Sequence, residues 1–97
     1  MACVVLLEIN VKDEAIEGIK SGLGGMFPDT RAYEGNIDIY ATQDQDNPNT
    51  IVMVEKWESR QHYEKYFAWR TERGDIDALG EALASPPSIR YMDILDA

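Results

Sequence analysis

One cysteine and one histidine occur in 97 residues. Cys3 has no partner for an internal disulfide, and neither a zinc-type spacing nor a redox pair can be assembled around it. At the start of an apolar segment it reads as a structural residue. Basic residues are also scarce: nine Lys and Arg stand against eighteen Asp and Glu, a formal charge of -9. That field repels phosphate backbones and argues against a nucleic-acid partner. It does not in turn identify a cationic substrate, because acidity also serves solubility. No apolar run approaches the roughly 20 residues of a membrane helix, so no membrane partner is expected. The opening Met1 to Glu8 has no basic start and meets a carboxylate too early for a signal peptide, which makes a cytoplasmic location the expectation. The acidic and amide-rich run Gln43 to Asn49 lacks the spacing of a phosphate cradle or a calcium loop.

What is present is an ordinary globular composition, 44% hydrophobic and 28% charged. The length fits a single domain over residues 1–97, with a core small enough that a second subunit is a natural source of further burial. Cys3 to Asn10 alternates as a strand, with Val5, Leu7 and Ile9 on one face and Val4, Leu6 and Glu8 on the other. Ile16, Ile19, Leu23 and Met26 form a stripe on a helix predicted from Asp13 to about Phe27. Pro28 is expected to begin a fresh turn, closed by Gly35 in a left-handed conformation. Asn36 to Thr42 and Ile51 to Trp57 read as strands joined by the polar hairpin loop. In the first, Asn36 and Tyr40 share a face; in the second, Glu55 and Trp57 do. Ser59 is expected to cap a helix running to about Arg73, and Asp75 a shorter one carrying Ile76, Leu79 and Leu83, before a last strand from Ile89 to Leu95.

The order β-α-β-β-α-β predicts an α+β, ferredoxin-like fold with a four-stranded antiparallel sheet. Helices cover one face of such a sheet, yet bulky residues occupy both faces here. The uncovered face calls for a partner, and two sheets packed face to face supply one. Glu8, Asn36 and Asp38 would then need hydrogen-bond partners or water, so a partly polar chamber between two sheets is expected.

Thr30-Arg31-Ala32-Tyr33-Glu34-Gly35-Asn36, the polar hairpin, and Val52-Met53-Val54-Glu55-Lys56-Trp57-Glu58-Ser59 resemble the antibiotic biosynthesis monooxygenase family. The resemblance spans most of the chain and implies a homodimeric α+β barrel. Characterised relatives oxidise polycyclic phenols to quinones without metal or flavin. The resemblance therefore implies a cofactor-independent monooxygenase acting on an aromatic or electron-rich small molecule. A non-catalytic barrel that binds such a molecule, and a purely structural dimer, are the rival readings. Many members carry a histidine nine residues after the tryptophan, where this chain has Tyr66; His62 lies one helical turn earlier. Haem-degrading relatives use a similar fold with Asn, Trp and His. Trp57 matches that pattern, but Phe67 stands where the histidine would be.

The candidate catalytic residues are Glu55, His62 and Tyr66; the candidate substrate-binding residues are Trp57, Asn36, Tyr40 and Trp69. Glu55, if buried without a partner, acquires the raised pKa that a base working near neutrality needs; the competing reading is a salt bridge with an arginine. His62 suits acid–base work, against the alternative of a histidine in the first helical turn, and it has no second ligand at metal-binding spacing. Trp57 offers a flat wall for an aromatic ring, against simple core or dimer packing. Asn36 and Tyr40 can orient a phenol or quinone oxygen. His62, Tyr66, Trp69 and Arg73 form one helical stripe, beside a second made of Tyr63, Phe67 and Arg70. Which of the two meets the sheet is left open by the spacing.

Overall fold

The computed structural model describes residues 2–97. Strand β1 (Cys3–Asn10) leads through a short 3-10 turn at Asp13–Ala15 into helix α1 (Ile16–Ala32). The hairpin strands β2 (Asn36–Gln43) and β3 (Thr50–Trp57) follow, then helices α2 (Arg60–Glu72) and α3 (Asp75–Glu81), and strand β4 (Ser88–Asp93). The four strands form one antiparallel sheet in the order β2-β3-β1-β4. The ferredoxin-like expectation is met, with α3 as an extra short helix.

Period-two burial decides which sheet face is the inner one. Ile51, Met53, Glu55 and Trp57 on β3 are buried, as are Cys3, Val5 and Ile9 on β1. The intervening Val52, Val54 and Lys56 lie on the opposite face and are only half-buried. The helices cover the inner face in two patches. Tyr63 and Tyr66 of α2 pack with Cys3, Val5 and Trp57. Ile16, Ile19, Leu23 and Phe27 of α1 pack with Ile9, Ile51 and Met53. Phe27, one residue beyond the expected Met26, completes the α1 stripe, and Met26 is 37% exposed.

Three local expectations are corrected. Pro28 lies inside α1 rather than starting a new turn. A proline ring clashes with the carbonyl four residues back; here that residue is Gly24, the type best able to yield, and the turn that follows is anchored by buried Thr30, whose hydroxyl meets Tyr66 and Arg70. Asp75 does not cap α3. Gly74, at φ +86°, occupies the cap position, because the reversal between α2 and α3 needs a left-handed residue. Asn36 and Tyr40 do not share a face, because a bulge at Ile37 shifts the register: Asn36 pairs with Trp57, whereas Asp38 pairs with Lys56 and Tyr40 with Val54. Asn36 therefore belongs to the helix side and Tyr40 to the open side. β4 ends at Asp93, leaving Leu95 exposed beyond it. Gly35 takes the expected positive φ, at +93°.

Candidate active site

β3 is an interior strand, so Glu55 sits between Val5 of β1 and Ile39 of β2 with its side chain under the helices. It is 2% exposed and, among the described residues, pairs with no arginine. Among the described residues, its carboxylate receives one hydrogen bond, from Trp57 Nε1 to Oε1 at 3.1 Å. Burial disfavours the charged form and pushes the pKa up to about 7, the indole N–H offsetting only part of that rise. The same burial, reinforced by the nearby negative charge of Glu55, raises the Tyr63 phenol above its ordinary value.

The ring of Trp57 is fully buried and braced on several sides: by Tyr66 (centroids 4.9 Å apart), Tyr63 (5.8 Å) and Tyr33 (6.4 Å). This packing holds the indole N–H at the carboxylate.

Beside it lies a second polar cluster. Tyr66 Oη and Thr30 Oγ1 are 2.7 Å apart. The guanidinium of Arg70, 3% exposed, donates from Nε to Tyr66 Oη at 2.9 Å and from Nη2 to Thr30 Oγ1 at 3.1 Å and to the Met26 carbonyl at 3.0 Å. Nη1 donates to Asp75 Oδ2 at 2.9 Å, and Arg73 Nε reaches the same oxygen at 3.1 Å. These contacts hold the Asp75 carboxyl below the usual carboxylate range. A fixed cation thus lies against a phenol whose partner hydroxyl can either donate or accept.

Both clusters border a cavity of about 70 Å³ between the sheet and the helices. Leu7, Ile39, Met53 and Glu55 form its floor; Phe27, Thr30, Tyr63 and Tyr66 its walls; Ile76 and Leu79 of α3 close it. This space lies within one chain, on the helix side of the sheet. The inner face of a single chain thus leaves a gap of its own, separate from the chamber expected between two sheets.

The expected site residues divide accordingly. Glu55 and Tyr66 line the cavity, and Trp57 holds Glu55 from the side rather than forming a wall at the sheet rim. His62 is not among the lining residues. Its Nδ1 lies 2.6 Å from Ser59 Oγ, and Ser59 accepts the backbone N–H of His62 as the α2 cap. The His62 ring also fills the space that a β-carbon on Gly35 would need. Trp69 lies outside the cavity, packed on Tyr33 and under Arg70 and Arg73. Asn36 donates from Nδ2 to the Asp38 carbonyl across the bulge at 3.4 Å. Tyr40 is half-exposed on the open face. Thr30, Tyr63, Arg70 and Asp75 are the polar lining residues that the sequence did not single out as site residues. The buried stripe of α2 is Tyr63, Tyr66 and Arg70, which takes Tyr66 from one expected stripe and Tyr63 and Arg70 from the other, so the helix meets the sheet on the seam between the two. Among the described residues, no group of three or more His, Cys, Asp and Glu is placed to hold a metal ion.

The sequence profile of the family described as "Antibiotic biosynthesis monooxygenase" matches residues 2–71, which include β1, both hairpin strands, Glu55, Trp57 and the buried stripe of α2. The chain belongs to this family. Among solved structures, a conserved protein from Methanosarcina mazei Go1 superposes with a TM-score of 0.85 at 22% identity, over 95% of this chain and 91% of that one. A structure described as antibiotic biosynthesis monooxygenase gives 0.84 at 18% identity, over 96% and 98%. The Mycobacterium tuberculosis protein Rv0793 gives 0.80 at 20% identity, over 100% and 98%. At these identities the likeness establishes the antibiotic biosynthesis monooxygenase fold. No curated protein matches the chain.

Proposed function

We propose that the protein is a cofactor-independent monooxygenase that oxidises a small phenol or similarly electron-rich molecule in the cavity between sheet and helices. The observation that carries this reading is Glu55: a carboxyl buried at an apolar cavity, with a pKa of about 7 and one hydrogen bond. A group poised there accepts a phenolic proton near neutrality. The phenolate then passes one electron to oxygen, and the ring radical and superoxide combine at a ring carbon to give a peroxide. Loss of water leaves a quinone, with one oxygen atom in the product and the other in water. Tyr66, fixed by Arg70 and Thr30, is the donor that steadies the substrate oxygen. The apolar lining keeps bulk water from the reduced oxygen species. Family membership supports the reaction type; the cavity geometry supports the substrate class.

The same reading includes a homodimer joined through the open sheet face. Val4, Leu6 and Val54 are only half-covered there, Tyr40 is 50% exposed and Met92 is 43% exposed. Covering that face leaves the cavity of each chain intact, so pairing serves stability and shape rather than supplying catalytic groups. Sedimentation should give twice the 11.0 kDa chain mass, and a single-chain species at high concentration would remove the dimer from the account.

The test of function is oxygen uptake by the purified protein with a panel of one- and two-ring phenols. Quinone formation should match oxygen consumed, and Glu55→Gln should reduce the rate by about 100-fold or more. Saturable phenol binding without oxygen uptake would favour a binding protein instead.

A further inference from the structure

We propose that α3 is a hinged lid over the cavity, and that Ile76 and Leu79 set the size of the ring system admitted. The proposal rests on the reading of that cavity as the ligand site, although not on any oxidation taking place there.

At about 70 Å³ the cavity holds a handful of waters, whereas sites for ring-bearing ligands run from about 300 Å³ upward. A groove of about 320 Å³ lies on the other side of Met26, Arg70, Asp75 and Leu79, which border both spaces. Moving α3 joins the groove to the cavity and brings the combined space into the range a ring system needs.

α3 is also the lightest-held of the helices. It spans seven residues and contains no buried one. Its backbone runs beside α2 more closely than beside any other element. Its two ends differ. At the C-terminal end, Lys12 N donates to the Ala82 carbonyl at 2.9 Å, Ala84 N donates to the Asn10 carbonyl at 2.8 Å, and buried Leu83 bridges to Val11. That end is a fixed pivot. The N-terminal end follows Gly74 in the left-handed region, and its polar tie is Asp75, bound through one carboxylate oxygen to Arg70 and Arg73, while Leu79 adds partly buried packing against the Ile9 and Met53 cluster. Releasing Asp75 frees this end while Arg70 keeps its bonds to Tyr66, Thr30 and Met26. The latch therefore opens without dismantling the polar cluster.

Amide hydrogen exchange on the full-length protein tests this directly. The α3 amides should exchange about 100-fold faster than the buried parts of α1 and α2 and should slow when naphthol is added. Asp75→Asn should speed α3 exchange and the association of naphthol each about tenfold, with α1 and α2 unchanged. Leu79→Ala should tighten binding of naphthol relative to phenol. If that substitution or Asp75→Asn impairs folding, exchange of the unaltered protein at rising denaturant still decides the matter: α3 must open before the sheet does. Exchange of α3 only through global unfolding, or a naphthol association rate indifferent to Asp75→Asn, would overturn the proposal. Because these readouts need no oxygen chemistry, a moving lid in a protein that consumes no oxygen would leave this proposal standing and remove the monooxygenase reading alone.

Discussion

The indole N–H of Trp57 donates to the carboxylate of Glu55, two residues earlier on the same strand, across 3.1 Å. Side chains two apart on a strand face the same way, so this pair is a direct product of strand geometry. The donor favours the ionised carboxyl, burial disfavours it, and burial wins.

That balance makes stability depend on pH. Glu55 has its folded pKa raised from 4.5 to about 7, so between those values the folded state holds a proton that the unfolded chain releases. Its contribution is fully present below the unfolded value and is lost as pH rises through the folded one. The loss amounts to roughly 3 kcal/mol. Glu55→Gln keeps an acceptor for Trp57 but does not ionise. Urea unfolding should show the variant gaining on the original protein by roughly 3 kcal/mol between about pH 4 and pH 8. Parallel pH profiles would contradict this.

Arg70 is the hub of the neighbouring cluster, and its loss strands several buried partners together. Arg70→Met leaves Asp75 with Arg73 alone and leaves the Thr30 and Tyr66 hydroxyls without their cation, and it should cost about 3 kcal/mol or more. Thr30→Val is nearly isosteric and spares the other Arg70 contacts, so about 1 kcal/mol is expected. Denaturant midpoints of the two variants check the order; equal losses would mean that the guanidinium is not the organising group.

His62, in the first turn of α2, and Gly35, in the turn between α1 and β2, form a steric pair. Alanine at position 35 must adopt φ +93° and also displace the His62 ring. Gly35→Ala should cost about 2–3 kcal/mol, and in a His62→Ala background about 1 kcal/mol less, because only the backbone strain remains. A thermal double-mutant cycle measures the difference. Strict additivity would show that the two residues do not press on each other.

Much of this was legible in the sequence, for identifiable reasons. Strict alternation in Ile51 to Trp57 put Glu55 and Trp57 on one face, and Ser59 announced α2 through its hydroxyl. What alternation could not reveal was which face the helices cover, since Val4, Leu6 and Val54 are as apolar as Val5, Leu7 and Met53. Asn36-Ile37-Asp38-Ile39 reads as perfect alternation, and the bulge that separates Asn36 from Tyr40 leaves no trace in it. Thr30 and Arg70 meet across forty positions of chain, a contact set by how α1 and α2 cross rather than by any local pattern. Glu55 was recognised as a possible base because burial alone suffices to shift a carboxyl; the position of the cavity beside it needed the packed helices.

The ionisation of Glu55 itself is the most direct test of the account. Carbon-13 NMR of the glutamate side-chain carboxyls, assigned with Glu55→Gln, should show one group titrating near pH 7, and that midpoint should move higher still in Trp57→Phe, where the donor is gone. A Glu55 that titrates at the ordinary 4.5, with or without the indole, would mean that the carboxyl is solvated and that the buried base at the centre of the proposed chemistry does not exist.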